Sequence, residues 1–109
     1  MDNYYSTFKD KEVKEPVKGI KVRSVFLDKT MMTYMEFESN SIIPEHKHPH
    51  EQITTILEGK MDMLVGGVRK VVSKGDVVAI PSNIPHSAQI LDDFTIAIDA
   101  WSPVREDYK

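Results

Sequence analysis

The residues best suited to chemistry are the four histidines of this 109-residue chain, and they lie in two places. His46, His48 and His50 stand together, and His86 stands alone. In an extended strand, residues two apart point to the same side, so His46, His48 and Gln52 can face one point. His86, expected between two strands, would supply a fourth ligand to one divalent metal ion. The alternative for the clustered histidines is a charged surface loop.

The chemistry of this donor set limits the metal. The chain has no cysteine, so only nitrogen and oxygen atoms can bind it. Three imidazoles and an amide oxygen suit Mn, Fe, Co, Ni or Zn and do not choose among them. Because Gln52 is uncharged, the ion would be a stronger Lewis acid than beside a glutamate. Pro49 disrupts regular pairing, so His50 is expected to face solvent or line the mouth of the site. Glu45 and Glu51 have the opposite parity to the ligands and are not expected to touch the metal.

The elements that position these residues are predicted to be β-strands. After Gly19 the sequence shows short segments of period two, and no long stretch has a clean helical period. Many short strands with frequent turns predict an all-β fold, either a sandwich or a closed barrel. The predicted strands are Ile20–Leu27, Met31–Phe37, Gln52–Leu57, Met61–Val65, Val68–Val72, Val77–Ile80 and Phe94–Trp101.

One turn also predicts a register. Gly66–Gly67 suits a two-residue hairpin loop, because both central positions need a positive φ. Such a loop pairs Val65 with Val68 and Met63 with Lys70.

The remaining features describe the molecule as a whole. Residues 1–18 are polar, with Pro16 stopping any helix, and are expected to form an N-terminal arm before a single domain at 19–109. The net charge is −3 without a basic stripe, so we expect no nucleic-acid partner. No apolar run approaches the ~20 residues of a membrane span. The first residues also lack the features of a signal peptide, so we expect a cytoplasmic location.

The spacing of the candidate ligands matches two motifs. The first runs His46-x-His48, three residues, Gln52, six residues, Gly59, and the second runs Gly75, five residues, Pro81, Asn83, His86. Together they resemble the two motifs of the cupin family over residues 40–90. The family normally has Glu at Gln52, Gly at Asn83 and Asn at Ile90. The resemblance implies a double-stranded β-helix, the cupin jelly-roll barrel, with His46, His48, Gln52 and His86 holding the metal inside.

The last predicted strand has two different faces. Phe94, Ile96, Ile98 and Ala100 lie on one face, and Thr95, Ala97, Asp99 and Trp101 on the other. Simple amphipathicity would bury the first set. If the second set lines the cavity instead, the apolar first set needs another cover, and a second copy of the chain is the expected one. The hypothesis is therefore a homodimer.

The chain's ending sharpens the resemblance. The segment HKHPHEQ at residues 46–52 and the ending DAWSPVREDY at residues 99–108 resemble the KdgF group, small single-domain cupins of pectin degradation. The resemblance implies a small anionic substrate, a 4,5-unsaturated uronate converted to the open-chain 4-deoxy-5-keto form. It also implies that Asp99 transfers a proton and Arg105 lies near the substrate carboxylate. Trp101 stands where the group has a usually smaller aromatic, so it is expected to shape substrate binding.

Alternatives remain for the residues and for the function. Asp99, if buried beside the ion, can act as general acid or base, and Arg105 can bind a carboxylate through two parallel hydrogen bonds. The other interpretation of Arg105 is a tail salt bridge with Glu106 or Asp107. The same scaffold could also serve a metal-dependent dioxygenase or decarboxylase of small organic acids. A third hypothesis is a non-enzymatic sugar-binding cupin.

Overall fold

The chain forms two antiparallel β-sheets packed face to face. The computed structural model describes residues 4–91 and 93–109. In that part of the chain, no helix is long and apolar enough to cross a membrane. The strands are β1 (Lys14–Val17), β2 (Ile20–Phe26), β3 (Met31–Phe37), β4 (Ile42–His46), β5 (Glu51–Glu58), β6 (Lys60–Val65), β7 (Val68–Ser73), β8 (Val77–Ile80), β9 (His86–Ile90) and β10 (Thr95–Ser102), with short 3₁₀ helices at Phe8–Asp10 and Glu106–Tyr108.

The strand order gives the topology. One sheet has the order β1-β2-β3-β10-β5-β8, and the other has the order β4-β9-β6-β7. The chain passes repeatedly from one sheet to the other, as in a double-sheet jelly roll. This confirms the predicted all-β class and the double-stranded β-helix that the resemblance implied.

All seven predicted strands are present, with ends that differ from the prediction by at most one residue. The predicted hairpin register is also confirmed. Val65 pairs with Val68, and Met63 pairs with Lys70. Strands with a clear alternation of apolar and polar residues were therefore predictable from the sequence.

Three strands were missed. β1 and β4 contain Pro16 and Pro44, which break the strand pattern but are tolerated because both strands lie at the edge of a sheet. β9 begins at His86, so the expectation that His86 lies between two strands was wrong. The division into an arm and a domain stays a prediction, with the addition that residues 14–17 of the arm pair with β2.

The core lies between the sheets and contains the side of β10 that carries Asp99. Thr95, Ala97, Asp99 and Trp101 are all buried. Simple amphipathicity therefore gives the wrong orientation, and the cavity-lining alternative describes this strand. A buried carboxyl group inside a small barrel requires polar partners, and these are described with the site.

Gly59 is the position where the fold most needs glycine. It lies between β5 and β6 at φ 79°, and an added Cβ would lie 2.7 Å from the carbonyl oxygen of Phe94 and 2.9 Å from Cα of Thr95. Gly67, in the hairpin loop, has a nearly identical φ of 81° but open space around it. Substitutions at Gly59 and Gly67 therefore separate the energetic cost of backbone strain from that of steric overlap.

We expect Gly67→Ala to destabilise the protein by about 1–3 kcal/mol, the cost of a left-handed backbone for alanine. Gly59→Ala should cost about 1–3 kcal/mol more, because the methyl group overlaps backbone atoms. Urea unfolding of the metal-free proteins measures both. Equal losses of stability in the two variants would contradict the steric argument.

Candidate metal centre

Three imidazoles converge at one end of the barrel. His46 ends β4 directly opposite His86 at the start of β9, with ring centroids 4.3 Å apart. His48, in the loop between β4 and β5, lies 4.8 Å from the ring of His86 and 5.5 Å from that of His46. One ring nitrogen from each histidine lies within 4.8 Å of the other two. The prediction that the two histidine segments meet in space thus corresponds to the structure.

The backbone orients each ring. In every case Nδ1 donates to a carbonyl oxygen two residues away: His46 to Pro44 at 2.9 Å, His48 to His50 at 3.0 Å, and His86 to Ile84 at 2.9 Å. A carbonyl can only accept, so Nδ1 carries the proton and Nε2 presents a lone pair. This arrangement is typical of metal-binding histidines, whose second nitrogen is held by a backbone or carboxylate partner.

Gln52 brings a fourth electron-pair donor to the same place. It lies on β5 opposite Trp101 of β10, and its Oε1 is 3.1 Å from Nε2 of His48. Because both atoms are acceptors, no hydrogen lies between them. Nε2 of His86 is likewise buried without a hydrogen-bond partner. Burial lowers the pKa of both His48 and His86, which favours the neutral, metal-binding form.

The dimensions of the cluster suit one metal ion. Bonds of about 2.0–2.1 Å to imidazole nitrogens place two ligand atoms at most about 4.2 Å apart. Nitrogens within 4.8 Å of one another need only small movements to reach that geometry. The donor atoms are nitrogen and oxygen, as divalent transition metals accept. The residues present therefore fit a divalent metal.

Asn83 connects the two ligand segments. Its φ is 61°, in the left-handed region where asparagine is among the best tolerated residues after glycine. Its backbone N–H donates to the carbonyl oxygen of His48 at 2.8 Å. The loop leading to His86 is thereby fixed to the loop carrying His48, and the departure from the usual motif glycine keeps the same backbone shape.

Below the imidazoles, Asp99 is 2% exposed and lies in a hydrogen-bond network. Thr54 donates to its Oδ1, and Thr33 donates to its Oδ2 at 3.2 Å. Nε1 of Trp101 donates to Thr33 at 2.9 Å, and Nε2 of Gln52 donates to Thr54 at 2.9 Å. Burial raises the pKa of Asp99 to about 6, above the ordinary value, so the carboxyl group can exchange a proton near neutral pH.

A cavity joins Asp99 to the histidine cluster. Its interior volume is about 50 Å³, room for a few groups the size of a water molecule, and it opens to solvent. Its polar wall contains His46, Gln52, His86 and Asp99, and its apolar wall contains Met35, Phe37, Met61 and Met63. Tyr108 from the C-terminal tail also lines it.

Arg105 lies beside this cavity but is already paired. Its Nε and Nη2 donate to the carboxylate of Asp107 at 3.2 and 2.8 Å, so the tail salt bridge of the alternative interpretation is formed. The guanidinium also stacks over Trp101 at 4.9 Å and Tyr108 at 4.1 Å. The positive charge of Arg105 also acts on the site. Burial is the main cause of the lowered pKa of His48, and the charge of Arg105 lowers this pKa further.

Trp101 and His50 both lie near the histidine cluster, but neither belongs to it. Trp101 is buried with its ring 5.4 Å from that of His48, while the partly buried ring of His50 lies 6.4 Å from Trp101 and outside the converging nitrogens.

Thr33 and Thr54 were not recognised from the sequence. Their signal is strand parity, because Thr54 lies two residues after Gln52 and Thr33 faces Asp99 across β3 and β10.

Comparison with known proteins fits this geometry. The family model described as "Cupin domain" matches residues 33–96, more than half of the chain. The chain belongs to the cupin family. The histidine cluster therefore lies where the resemblance of the two motifs implied, inside a cupin barrel.

Individual relatives are of similar length to this chain. The pectin degradation protein KdgF of Dickeya dadantii (strain 3937) is 29% identical over 92 residues, which cover 83% of this chain and 84% of that protein. An RmlC-like cupin from Shewanella frigidimarina NCIMB 400 superposes with a TM-score of 0.91 at 29% identity, covering 98% of this chain and 96% of that one. KdgF from Halomonas sp. has a TM-score of 0.86 at 24% identity, covering 96% and 100%, and at that identity supports the fold alone.

We expect His86→Ala to weaken zinc binding at least about 100-fold, because it removes a buried ligand, a larger change than the 10–100-fold typical of outer partners. His50→Ala is the matched control. It removes an imidazole from the same region but keeps the backbone carbonyl that accepts from His48. Titration of the metal-free proteins with zinc against a competing chelator measures both affinities. Equal losses in the two variants would contradict the assignment.

Proposed function

We propose that this cupin is a metal-dependent enzyme that converts a 4,5-unsaturated uronate to its open-chain 4-deoxy-5-keto form. The observation that carries the proposal is the buried carboxyl group of Asp99, which lines the same cavity as His46 and His86, two members of the cluster of three converging imidazoles. The sequence relationship to the pectin degradation protein KdgF of Dickeya dadantii supports the substrate class. The enzyme would be isomerase- or lyase-like, with a small anionic sugar as substrate.

In this proposal His46, His48, Gln52 and His86 hold one divalent transition metal, one of Mn, Fe, Co, Ni or Zn. The bound ion would supply Lewis acidity that polarises substrate oxygen atoms. These ligands carry no negative charge, so the ion's charge stays available to an anionic sugar. Thr54 links the carboxyl group of Asp99 to Gln52 by hydrogen bonds, and the Gln52 side chain also acts on this carboxyl group directly, lowering the pKa that burial raises.

The proposed reaction moves protons without redox. The C1 hydroxyl loses a proton and becomes a carbonyl as the bond between C1 and the ring oxygen breaks. C4 gains a proton, and C5 becomes the ketone, so the composition of the sugar is unchanged. Asp99 transfers the proton, because its raised pKa of about 6 lets it both give and take one near neutral pH.

Arg105 would receive the substrate carboxylate. The pair with Asp107 uses Nε and Nη2, and two aromatic rings fix the plane of the guanidinium. A second carboxylate can approach the other edge of the group in the planar geometry that arginine favours. Trp101, buried between His48 and this guanidinium, would shape the substrate position.

We expect Asp99→Asn to lower kcat at least about 100-fold, the usual contribution of general acid–base catalysis, while zinc binding is retained. The assay follows the loss of absorbance of the C4=C5 bond in unsaturated galacturonate. Glu51→Gln is the control, since it makes the same carboxyl-to-amide change on the exposed face of β5. No acceleration over buffer by the metal-loaded wild type would remove the uronate assignment, and oxygen uptake with iron would favour the oxygenase instead.

We further propose that the active form is a homodimer. On the outer face of the larger sheet, Met32, Ala100, Ile53 and Ala79 lie in one row across β3, β10, β5 and β8. Ile53 is 52% exposed in the isolated chain. A contiguous apolar row on a sheet face is typical of a protein interface, and the same face on a second copy is its natural complement.

Ile53→Lys should therefore convert a dimer to a monomer in sedimentation velocity. Val68→Lys is the matched control, because Val68 is also β-branched, is 71% exposed, and lies in the hairpin of the other sheet. We expect that variant to stay dimeric. A monomeric wild type, or dissociation by both substitutions, would contradict this assignment of the interface.

A further inference from the structure

The network around Asp99 has a fixed hydrogen-bond direction. The indole N–H of Trp101 can only donate, and it donates to Thr33 Oγ1 at 2.9 Å. Thr33 then uses its own proton to donate to Oδ2 of Asp99 at 3.2 Å. On the other side, the hydroxyl of Thr54 donates to Oδ1. The carboxylate is thus the acceptor at which both branches end.

Because Thr54 uses its hydroxyl hydrogen to donate to Asp99, its oxygen is available to accept. It accepts from the amide nitrogen of Gln52 at 2.9 Å. The two ends of a glutamine amide have nearly the same shape, so hydrogen bonding decides which end points where. With its nitrogen bonded to Thr54, the amide presents its oxygen to His48 at 3.1 Å. The reversed amide would direct N–H groups at the place where the lone pairs converge.

We propose that Thr54 is a positioning residue that turns the amide oxygen of Gln52 toward the three imidazoles and thereby sets the affinity for the metal. The inference rests on the proposed metal site but not on the uronate chemistry. Glutamate, with two equivalent oxygens, would need no such partner at this position. A glutamine ligand therefore needs a partner such as Thr54 to orient its amide. Gln52 and Thr54 are both buried, so solvent does not replace the missing bond. The Gln52 side chain also interacts with the carboxyl group of Asp99, and both valine variants keep that interaction.

The test compares two substitutions that are chemically identical. Thr54→Val and Thr33→Val each replace a hydroxyl by a methyl group and each remove one hydrogen bond to Asp99, but only Thr54 contacts Gln52. Zinc is titrated into the full metal-free chain against a competing chelator. We expect Thr54→Val to bind zinc about 10–100-fold more weakly, as for outer partners of metal ligands, and Thr33→Val to stay within roughly threefold of the wild type.

Two further variants separate orientation from other effects. Thr54→Ser keeps the hydroxyl and should restore most of the affinity. In a Gln52→Glu background, Thr54→Val should weaken zinc binding no more than Thr33→Val does, because no amide remains to be oriented. The inference is overturned if Thr54→Val binds like the wild type, if both valine variants weaken binding equally, or if the loss persists beside glutamate.

A further test uses the wild type alone, so its result does not depend on whether a variant folds. In the ¹⁵N-labelled chain, the side-chain NH₂ of Gln52 should exchange slowly with solvent and show a nuclear Overhauser effect to Thr54. Rapid exchange without that contact would overturn the proposal. Failure of the wild type to bind zinc would overturn the metal site itself, whereas an inactive enzyme that binds zinc with the expected pattern would leave this inference standing.

Discussion

Several lone pairs converge in one place with no hydrogen atom between them, and the rest of the site depends on this constraint. Each Nδ1 of the three histidines donates to a carbonyl, so each Nε2 is an acceptor. The oxygen of Gln52 lies 3.1 Å from one of these nitrogens. Buried acceptors that face one another are unfavourable without a donor or a cation between them. A divalent metal would satisfy all four at once.

Contacts within the fold hold these donor groups in place. His46 and His86 are a direct cross-strand pair, and the N–H of Asn83 ties the adjacent loop to His48. Gln52 is held from the larger sheet by a network that ends on Asp99. Because the ligands come from both sheets, the site closes only when the two sheets pack. In the proposed function the uncharged ligand set and the buried carboxyl group below it have separate roles, since the ligands would bind the cation while Asp99 would transfer the proton.

Much of this could be predicted from the sequence because strand parity is local. The spacing of two along residues 46–52 indicated that His48 and Gln52 could share a site, although His48 lies in a loop and not in a strand, and the alternation along β10 indicated that Asp99 and Trp101 share a face. The edge strands β1 and β4 were missed since proline interrupts their pattern, and β9 was missed although His86 opens it. The network was not predictable, because Thr33 and Asp99 are 66 residues apart and meet only through strand order. The pairing of Arg105 with Asp107 depends on how the tail turns after β10, which periodicity does not encode.

X-ray absorption spectroscopy of the chain loaded with one equivalent of zinc tests whether the three imidazoles bind one ion. We expect a first shell of nitrogen and oxygen atoms at about 2.0–2.1 Å with the multiple-scattering pattern of three imidazoles. A spectrum with one imidazole or none, or a shell made of oxygen atoms alone, would contradict the convergence of His46, His48 and His86 on a single ion.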